Sequence, residues 1–323
     1  MTRISIALAT YNGQAFLEEQ LNSYVTQVRR PDELVVGDDG STDETLAILK
    51  SFAAGAPFSV RLLDGPSGGR VAANFERTIG ACSGDLILLS DQDDIWLPDK
   101  IAAVERVMAA APAMLALHHD EWLMDSDSGE RLPQTMASRL RQLKSWDHSL
   151  FAANCMALRQ SVLPIVLPIP AGQGFDDWLS LIPESLGARL ILDEPLQYWR
   201  RHGDNYSTPA AAEADPPGPW HMARRFGVGD PRPGWAVERD KVALVADRIA
   251  ETTALIDEAL GPGRARRAIR LLERKMAAIE RRRARLALPR RRRWASVLAA
   301  LLRGDYRQFS GWRSAAKDAI RQA

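Results

Sequence analysis

The stretch GDLILLSDQDDIWLPDK, Gly84 to Lys100, carries an apolar run that stops abruptly in acid. Leu86 to Leu89 reads as a buried strand, and directly after it come Asp91, Gln92, Asp93 and Asp94, ahead of Trp96 and Pro98. Carboxylates at this spacing repel one another and each prefers water, so their clustering at a strand end calls for something cationic among them. If the chain stays extended through SDQDD, Asp91 and Asp93 project to one side and Asp94 to the other. Such a D-x-D pair of hard oxygens suits Mg²⁺ or Mn²⁺, and Mg²⁺ is typically held by one or two carboxylates plus substrate phosphates. The bland alternative is a solvated turn, with Asp94 capping a helix that has Pro98 in its first turn.

Working towards the N-terminus, strand and helix patterns alternate. ISIALAT is a first strand, GQAFLEEQLNSYVTQ a helix, DELVVGDD a second strand, and STDETLAILKSFA a helix with Ser41 or Thr42 as N-cap and Glu44 in its first turn. FSVRLLDG, VAANFERTIGAC and DLILLSD continue the alternation. This order implies a mostly parallel sheet flanked by helices, with ligands beyond the C-terminal strand ends. Asp38 and Asp39 fall at one such end, followed by Gly40 and Ser41, where a carboxylate can meet a nucleobase or ribose; simple capping of the next helix by Asp39 explains it equally well. The first turn, Thr10-Tyr11-Asn12-Gly13, lacks G-x-G-x-x-G, which disfavours a nicotinamide dinucleotide fold.

Towards the C-terminus, a helix follows Lys100 to about Ala111, then a strand within AMLALHHDEWLMDSDSGER. Leu132 to Tyr198 reads as irregular and rich in Pro and Gly. STPAAAEADPPGPW reads as a linker, and three helical segments follow. With 323 residues, 46% of them hydrophobic, the chain can bury a substantial core. Cys82 and Cys155, the only two cysteines, stand far apart outside any metal-binding spacing, which suits a reducing cytosol and two buried small side chains. The N-terminus reads as a strand and not as a signal peptide, and no stretch approaches the roughly 18 apolar residues a membrane span needs. The net charge of +1 hides an asymmetry: from Arg264 onward there are 19 Lys/Arg and 4 Asp/Glu, against 23 and 37 in the remainder.

Five segments together, ALATYNGQAFLEEQLNSYVTQ, VVGDDGSTDETL, AANFERTIGACSGDLILLSDQDDIWLPDK, FDDWLSLI and DEPLQYWRRHGDNYS, resemble the family 2 glycosyltransferases, in particular a bacterial rhamnosyltransferase-like branch. The resemblance runs from about Ile4 to Ser207. It implies a GT-A (Rossmann-like) α/β domain over residues 1–208, a linker over 209–234 and a helical basic extension over 235–323. It implies that Thr10, Tyr11 and Asp39 line the nucleotide, that Asp91 and Asp93 form the D-x-D with Asp93 on Mg²⁺ or Mn²⁺, and that Asp177 is the catalytic acid before Trp178. Arg200 and His202 fall on an Arg-x-His pair on the diphosphate side, which implies Arg200 on the nucleotide and His202 on the metal together with Asp91 and Asp93. Related sequences commonly carry His-Asp where this chain has Asp176-Asp177, so Asp176 competes for the role of base. Ala73 stands where an Arg often precedes Asn-Phe, with Arg70 as a candidate substitute. The implied reaction is inverting transfer of a sugar, with rhamnose suggested by the branch, from a nucleoside-diphosphate donor to a cell-surface polysaccharide or lipid-linked glycan acceptor in the cytoplasm, on the inner face of the membrane.

His118 and His119 have no motif around them and read as structural. Trp146, Trp178 and Trp199 could form a sugar platform, although core packing is the commoner fate. In the basic segment, Ile269, Leu272, Met276 and Ile279, then Trp294, Val297, Leu298, Leu301 and Leu302, recur at helical spacing, which fits an anionic membrane surface better than nucleic acid. Packing on another part of the protein or on a second subunit accounts for the same faces. Two other functions are weighed: a sugar-nucleotide nucleotidyltransferase, which needs a Gly-rich loop that TYNGQAF does not supply, and a non-catalytic nucleotide or nucleic-acid binding protein, which has no use for Asp177 or His202.

Overall fold

The computed structural model describes residues 2–126, 128–142, 152–203, 230–309 and 311–321. The chain forms two compact units, Met1–Pro216 and Pro217–Ala323. Most of the expected linker, residues 209–234, and Trp146 lie outside the described residues.

In the first unit, strands β1 (Ile4–Thr10), β2 (Glu33–Asp38), β3 (Ser59–Leu62) and β4 (Leu86–Ser90) alternate with helices α1 (Leu17–Val25), α2 (Thr45–Gly55) and α3 (Val71–Ala81). The strands pair in parallel in the order β3-β2-β1-β4, because each returns through a helix. Their near-continuous apolar runs follow from burial on both faces. Ile6, Leu8, Val36 and Leu88 join one cluster with Leu21 and Tyr24 of α1 and with Ile101 and Val104. On the alternate positions Ile87 and Leu89 are buried, as are Phe75 and Ile79 of α3.

Beyond β4 the sheet is mixed. β5 (Ile95–Trp96), α4 (Lys100–Ala110), β6 (Ala116–Asp125), β7 (Arg131–Thr135), α5 (Met136–Gln142), β8 (Met156–Arg159), α6 (Leu163–Val166), α7 (Phe175–Ser185) and β9 (Arg189–Arg201) complete the unit. The order continues β4-β8-β6-β9-β5, with β7 on β6. Only β6 and β9 run parallel here. The described parts of Leu132–Tyr198, residues 132–142 and 152–198, are therefore not irregular. Pro195 masks β9 in the sequence because it cannot donate to a ladder, and the register shifts beside its partner Asp120 absorb it.

Two local expectations are corrected. Helix α2 starts at Thr45, so neither Ser41 nor Thr42 is its N-cap. Ser41 Oγ donates to Asp38 Oδ1 at 2.5 Å instead, while Asp43 Oδ1 accepts the Thr45 amide at 3.0 Å. Asp94 is neither solvated nor a cap: it is wholly buried, and β5 intervenes before α4 begins at Lys100.

The second unit is helical: α8 (Arg232–Glu251), α9 (Thr253–Leu260), α10 (Arg264–Leu286), α11 (Arg290–Leu302) and α12 (Trp312–Ile320). Ala265, Ala268, Leu272 and Ile279 form the buried stripe of α10. Val297, Ala300, Tyr306, Ala315 and Ala319 form a smaller cluster around α11 and α12. Beside it Asp318, wholly buried, accepts Arg282 Nε at 2.6 Å and Nη2 at 3.0 Å, and the Tyr306 hydroxyl at 3.0 Å. Among the described residues no helix is long and apolar enough to cross a membrane.

Close approach of α3 to β2 depends on Gly37, where a Cβ would lie 2.1 Å from Thr78 Oγ1 and 2.5 Å from Asn74 Oδ1. Asn74 Nδ2 in turn donates to the Gly37 carbonyl at 2.7 Å. Gly37→Ala is expected to destabilise the protein by about 1–3 kcal/mol through overpacking. Calorimetric melting checks this, and an unchanged Tm would mean that α3 shifts freely.

Candidate active site

At the C-terminal ends of the parallel strands lies a cavity of about 580 Å³. One wall comes from the turns after β1 and β2. Thr10 Oγ1 donates to Asp38 Oδ1 at 2.8 Å, and Asp38 Oδ2 accepts the amides of Gly40 and Ser41 at 3.0 and 2.8 Å. Gly40 turns the chain with φ +85°, a conformation glycine adopts at little cost. Asp38 therefore shapes the turn, and Asp39 is the carboxylate that lines the cavity. Burial pulls the Asp39 carboxyl upward, but bonds from the Ser67 hydroxyl and the Gly69 and Ser67 amides outweigh it and hold the group below the usual range. All these bonds land on Oδ1; among the described residues Oδ2 takes none.

Tyr11 lines the same wall and is 58% exposed. Its backbone is clamped to the acidic loop: Gln92 Oε1 accepts the Tyr11 amide at 2.8 Å, and Gln92 Nε2 donates to the Tyr11 carbonyl at 2.9 Å.

Asp91 and Asp93 both line the cavity and Asp94 does not, but Gln92 lines it too: β4 ends at Ser90 and the chain bends at Gln92 and Asp93, so the expected alternation of an extended chain is not what places them. Among the described residues the Asp91 carboxylate accepts no hydrogen bond. Burial first, then Asp93, Asp176 and Glu121, push its carboxyl well above the usual range, with Lys100 opposing. Asp93 Oδ2 lies 2.9 Å from His202 Nε2, and the His202 ring packs on Phe16 at 4.4 Å. Arg200 Nε donates to the Asp93 carbonyl at 3.1 Å, and its Nη2 pairs with Glu19. Arg200 thus braces the loop from behind and is not among the residues lining the cavity.

Helix α7 brings Phe175 and Asp176 to the wall; Asp177 is not on it. Successive helical residues diverge by about 100°, and here Phe175 and Asp176 fall on the side of α7 towards the cavity while Asp177 falls outside it. Among the described residues Asp176 Oδ1 is buried without a hydrogen-bond partner. Burial, and then the neighbouring Asp177, raise its carboxyl to about 6.

Several site residues escape sequence reading. Glu121 of β6, only 2% exposed, lines the cavity between Asp93 and Met136 in chain order. Behind it Gln197 Nε2 donates to Glu121 Oε2 at 2.9 Å and to Asp94 Oδ2 at 3.2 Å. Lys100 Nζ donates to Gln197 Oε1 at 2.6 Å and to the Asn154 carbonyl at 3.1 Å, over the Trp96 ring at 3.8 Å. Alternating strand positions carry no motif, so only the β6 pattern could have flagged Glu121. Trp199 also lines the cavity, whereas Trp178 is core, its Nε1 donating to the Val166 carbonyl at 2.7 Å. His118 and His119 are buried in β6, and Arg70 and Ala73 lie away from the cavity wall.

Among the described residues no group of three or more His, Cys, Asp or Glu side chains is placed to hold a metal by itself. The donor set fits instead a cation that takes further ligands from substrate: two carboxylates, one of them unpartnered, held at a strand end.

The family model for glycosyl transferase family 2 matches residues 5–164. Those residues belong to that family. Over 98 residues, 29% of this chain and 34% of the relative, the glycosyltransferase is 40% identical to the dTDP-rhamnosyl transferase RfbG of Shigella flexneri. The structure of Staphylococcus aureus TarS 1–349 with UDP-GlcNAc is 20% identical, covers 98% of this chain and 89% of that one, and superposes with a TM-score of 0.52. The mannosyltransferase PcManGT of Pyrobaculum calidifontis, solved with GDP-Man and Mn²⁺, is 15% identical over 99% of this chain and 86% of that one, with a TM-score of 0.50. These likenesses establish the fold, GT-A, on which the glycosyltransferase is built.

The Asp176 shift has a thermodynamic consequence. A carboxyl whose folded value is raised to about 6 opposes folding above its unfolded value near 4, and the penalty grows until about pH 6 and then levels off. Asp176→Asn should therefore raise Tm, by an amount that increases from pH 4 to pH 6.5 and then stays constant, corresponding to at most about 3 kcal/mol. Melting curves across that range test it; a pH-independent difference would contradict the burial of this charge.

Proposed function

We propose that the glycosyltransferase transfers a sugar, with inversion, from a nucleoside diphosphate bound with Mg²⁺ or Mn²⁺ to a glycan or lipid-linked glycan. The observation that carries this is the convergence of Asp39, Asp91, Asp93 and Asp176 on one cavity. Asp39, through its unpartnered Oδ2, meets ribose or base. Asp91 and Asp93 hold the cation, which when bound neutralises the diphosphate and so favours its departure. His202 keeps Asp93 in place, and Arg200 fixes the loop backbone. Asp176 takes the proton from the acceptor hydroxyl, a role its raised affinity for protons suits near neutral pH. Asp177 tunes it by charge. Rhamnose as the sugar rests on the Shigella relative alone.

Titration calorimetry with UDP, GDP and dTDP, with Mn²⁺, Mg²⁺ or EDTA, tests the reading. One nucleotide should bind in a metal-dependent way, and Asp91→Ala or Asp93→Ala should weaken it at least tenfold. Asp176→Asn should leave binding within about twofold and slow transfer by about 10²- to 10⁴-fold. No metal-dependent binding of any nucleotide would overturn the assignment.

We further infer that the helical unit rests on an anionic membrane surface. On α11 the stripe Trp294, Leu298 and Leu302 is 56, 59 and 80% exposed, opposite the buried positions Arg293, Val297 and Ala300. Arg291, Arg292 and Arg303 are exposed around it, and Trp312 of α12 is 68% exposed. Apolar side chains rimmed by arginine, with tryptophan at the edge, match the headgroup boundary of acidic lipid. Co-sedimentation with phosphatidylglycerol vesicles, lost in phosphatidylcholine and in the triple variant Trp294→Ala, Leu298→Ala, Leu302→Ala, is expected; equal sedimentation of the variant would refute the surface, and a salt-stable dimer would assign it to a second copy.

A further inference from the structure

We propose that Glu121 reads the sugar being transferred and sets which donor the glycosyltransferase accepts. The inference rests on the donor reading above and extends it to a position no motif marks. Neighbouring strands lie about 4.8 Å apart. In the order β2-β1-β4-β8-β6, the end of β2 with Asp39 is two strands from the end of β4 with Asp91, and β6 with Glu121 is two strands further. The cavity therefore offers three stations about 10 Å apart. With a nucleoside at Asp39 and a diphosphate at Asp91 and Asp93, the next group along the same line, the sugar, lies over β6.

The lining at that station is suited to a sugar. Met136, Ala153, Phe175 and Trp199 supply apolar faces, and Glu121 and Asp176 supply the acids. Glu121 is held rigidly from behind, its Oε2 accepting Gln197 Nε2 at 2.9 Å and Cys155 Sγ at 3.1 Å. Oε1 has no hydrogen-bond partner among the described residues, although the residue is 2% exposed. A buried acid with one oxygen fixed and the other left to the cavity is arranged to accept a hydroxyl, and a hydroxyl missing or turned away leaves that oxygen unsatisfied. Its carboxyl is raised to about 7 by burial, eased by the Cys155 and Gln197 bonds, so binding a donor there also costs little desolvation of a full charge.

Calorimetry with UDP, GDP and dTDP, and with UDP-glucose, UDP-N-acetylglucosamine, GDP-mannose and dTDP-rhamnose, all with Mn²⁺, separates the two levels of inference. Glu121→Gln and Glu121→Ala should weaken the preferred nucleotide sugar by about tenfold or more, and narrow its advantage over the other sugars, while the matching nucleoside diphosphate binds within about twofold of wild type. Equal effects on nucleotide and nucleotide sugar, or no effect on either, would overturn the assignment. Should Glu121→Ala fail to fold, the isosteric Glu121→Gln decides alone. Wild-type protein that binds none of the nucleotides would instead overturn the donor reading beneath it.

Discussion

Asp94 has no exposed surface, and both neighbours in its acidic run face a cavity. Burying a carboxylate is costly unless it is hydrogen-bonded and balanced by charge. Here Asn154 Nδ2 at 2.6 Å and Gln197 Nε2 at 3.2 Å meet its Oδ2, and the Lys100 ammonium, also buried, meets the other end of Gln197. The residues come from α4, from β9 and from the turn before β8, so the network closes only when the mixed half of the sheet has formed. Burial lowers the Lys100 ammonium to about 8, while the surrounding acids work to keep it charged. Breaking one member leaves the rest unsatisfied in low dielectric. The posture of Asp91 and Asp93 thus depends on an anchor pointing away from them.

From that anchor the rest of the site follows by strand order and by ties to the acidic loop. With Asp94 turned inward, Asp91, Gln92 and Asp93 line the cavity. Gln92 ties the same loop to Tyr11 at the end of β1, and His202 and Arg200 tie it to the end of β9. The parallel half supplies the wall that carries Asp39 and Tyr11, because helices on both faces leave strand ends as the open edge. The mixed half supplies Glu121, Trp199 and the start of α7. The two carboxyls of the inner wall, Asp176 and Glu121, are both raised, to about 6 and about 7, first of all by burial. A raised carboxyl costs stability above its unfolded value, and a cost of this kind on a cavity wall is what the proposed roles of Asp176 and Glu121 would explain.

Much of this was legible in the sequence where local signals agree. Period-two and period-3.6 runs gave the order and type of every element in the parallel half, with ends up to four residues off where turns precede α1 and α2, and the acidic run after a buried strand marked the cavity. Legibility failed where contacts are made across long separations. Pro195 hid a strand of 13 residues, since its missing donor is compensated only by the shifted register of β6. Glu121 and Lys100 look like ordinary surface charges in a linear reading. Their burial is set by Gln197 and Cys155, residues distant in the chain. Between Asp176 and Asp177 no pattern could choose, because which of two adjacent side chains meets the cavity depends on how α7 is rotated about its axis.

The basic half shows the same limit in electrostatic form. Counting 19 cations against 4 acids from Arg264 onward suggests a free positive surface. Yet Arg282 and Arg321 are spent on buried Asp318, Arg285 pairs with Asp305, and Arg293 donates to the carbonyls of Leu286, Leu288 and Arg321. These arginines build the helical unit, since each buried guanidinium with its acceptors fixes where two chain segments meet. The charge left for a partner is the exposed set, which includes Arg266, Arg267, Arg270, Arg274 and Arg281 on α10, Arg291 and Arg292 on α11, and Arg313 on α12. Arg291 and Arg292 share α11 with the exposed Trp294, Leu298 and Leu302, so that helix presents a face combining charge with apolar area. Nucleic acid would engage the charge and leave the leucines in water, whereas an acidic lipid surface satisfies both at once.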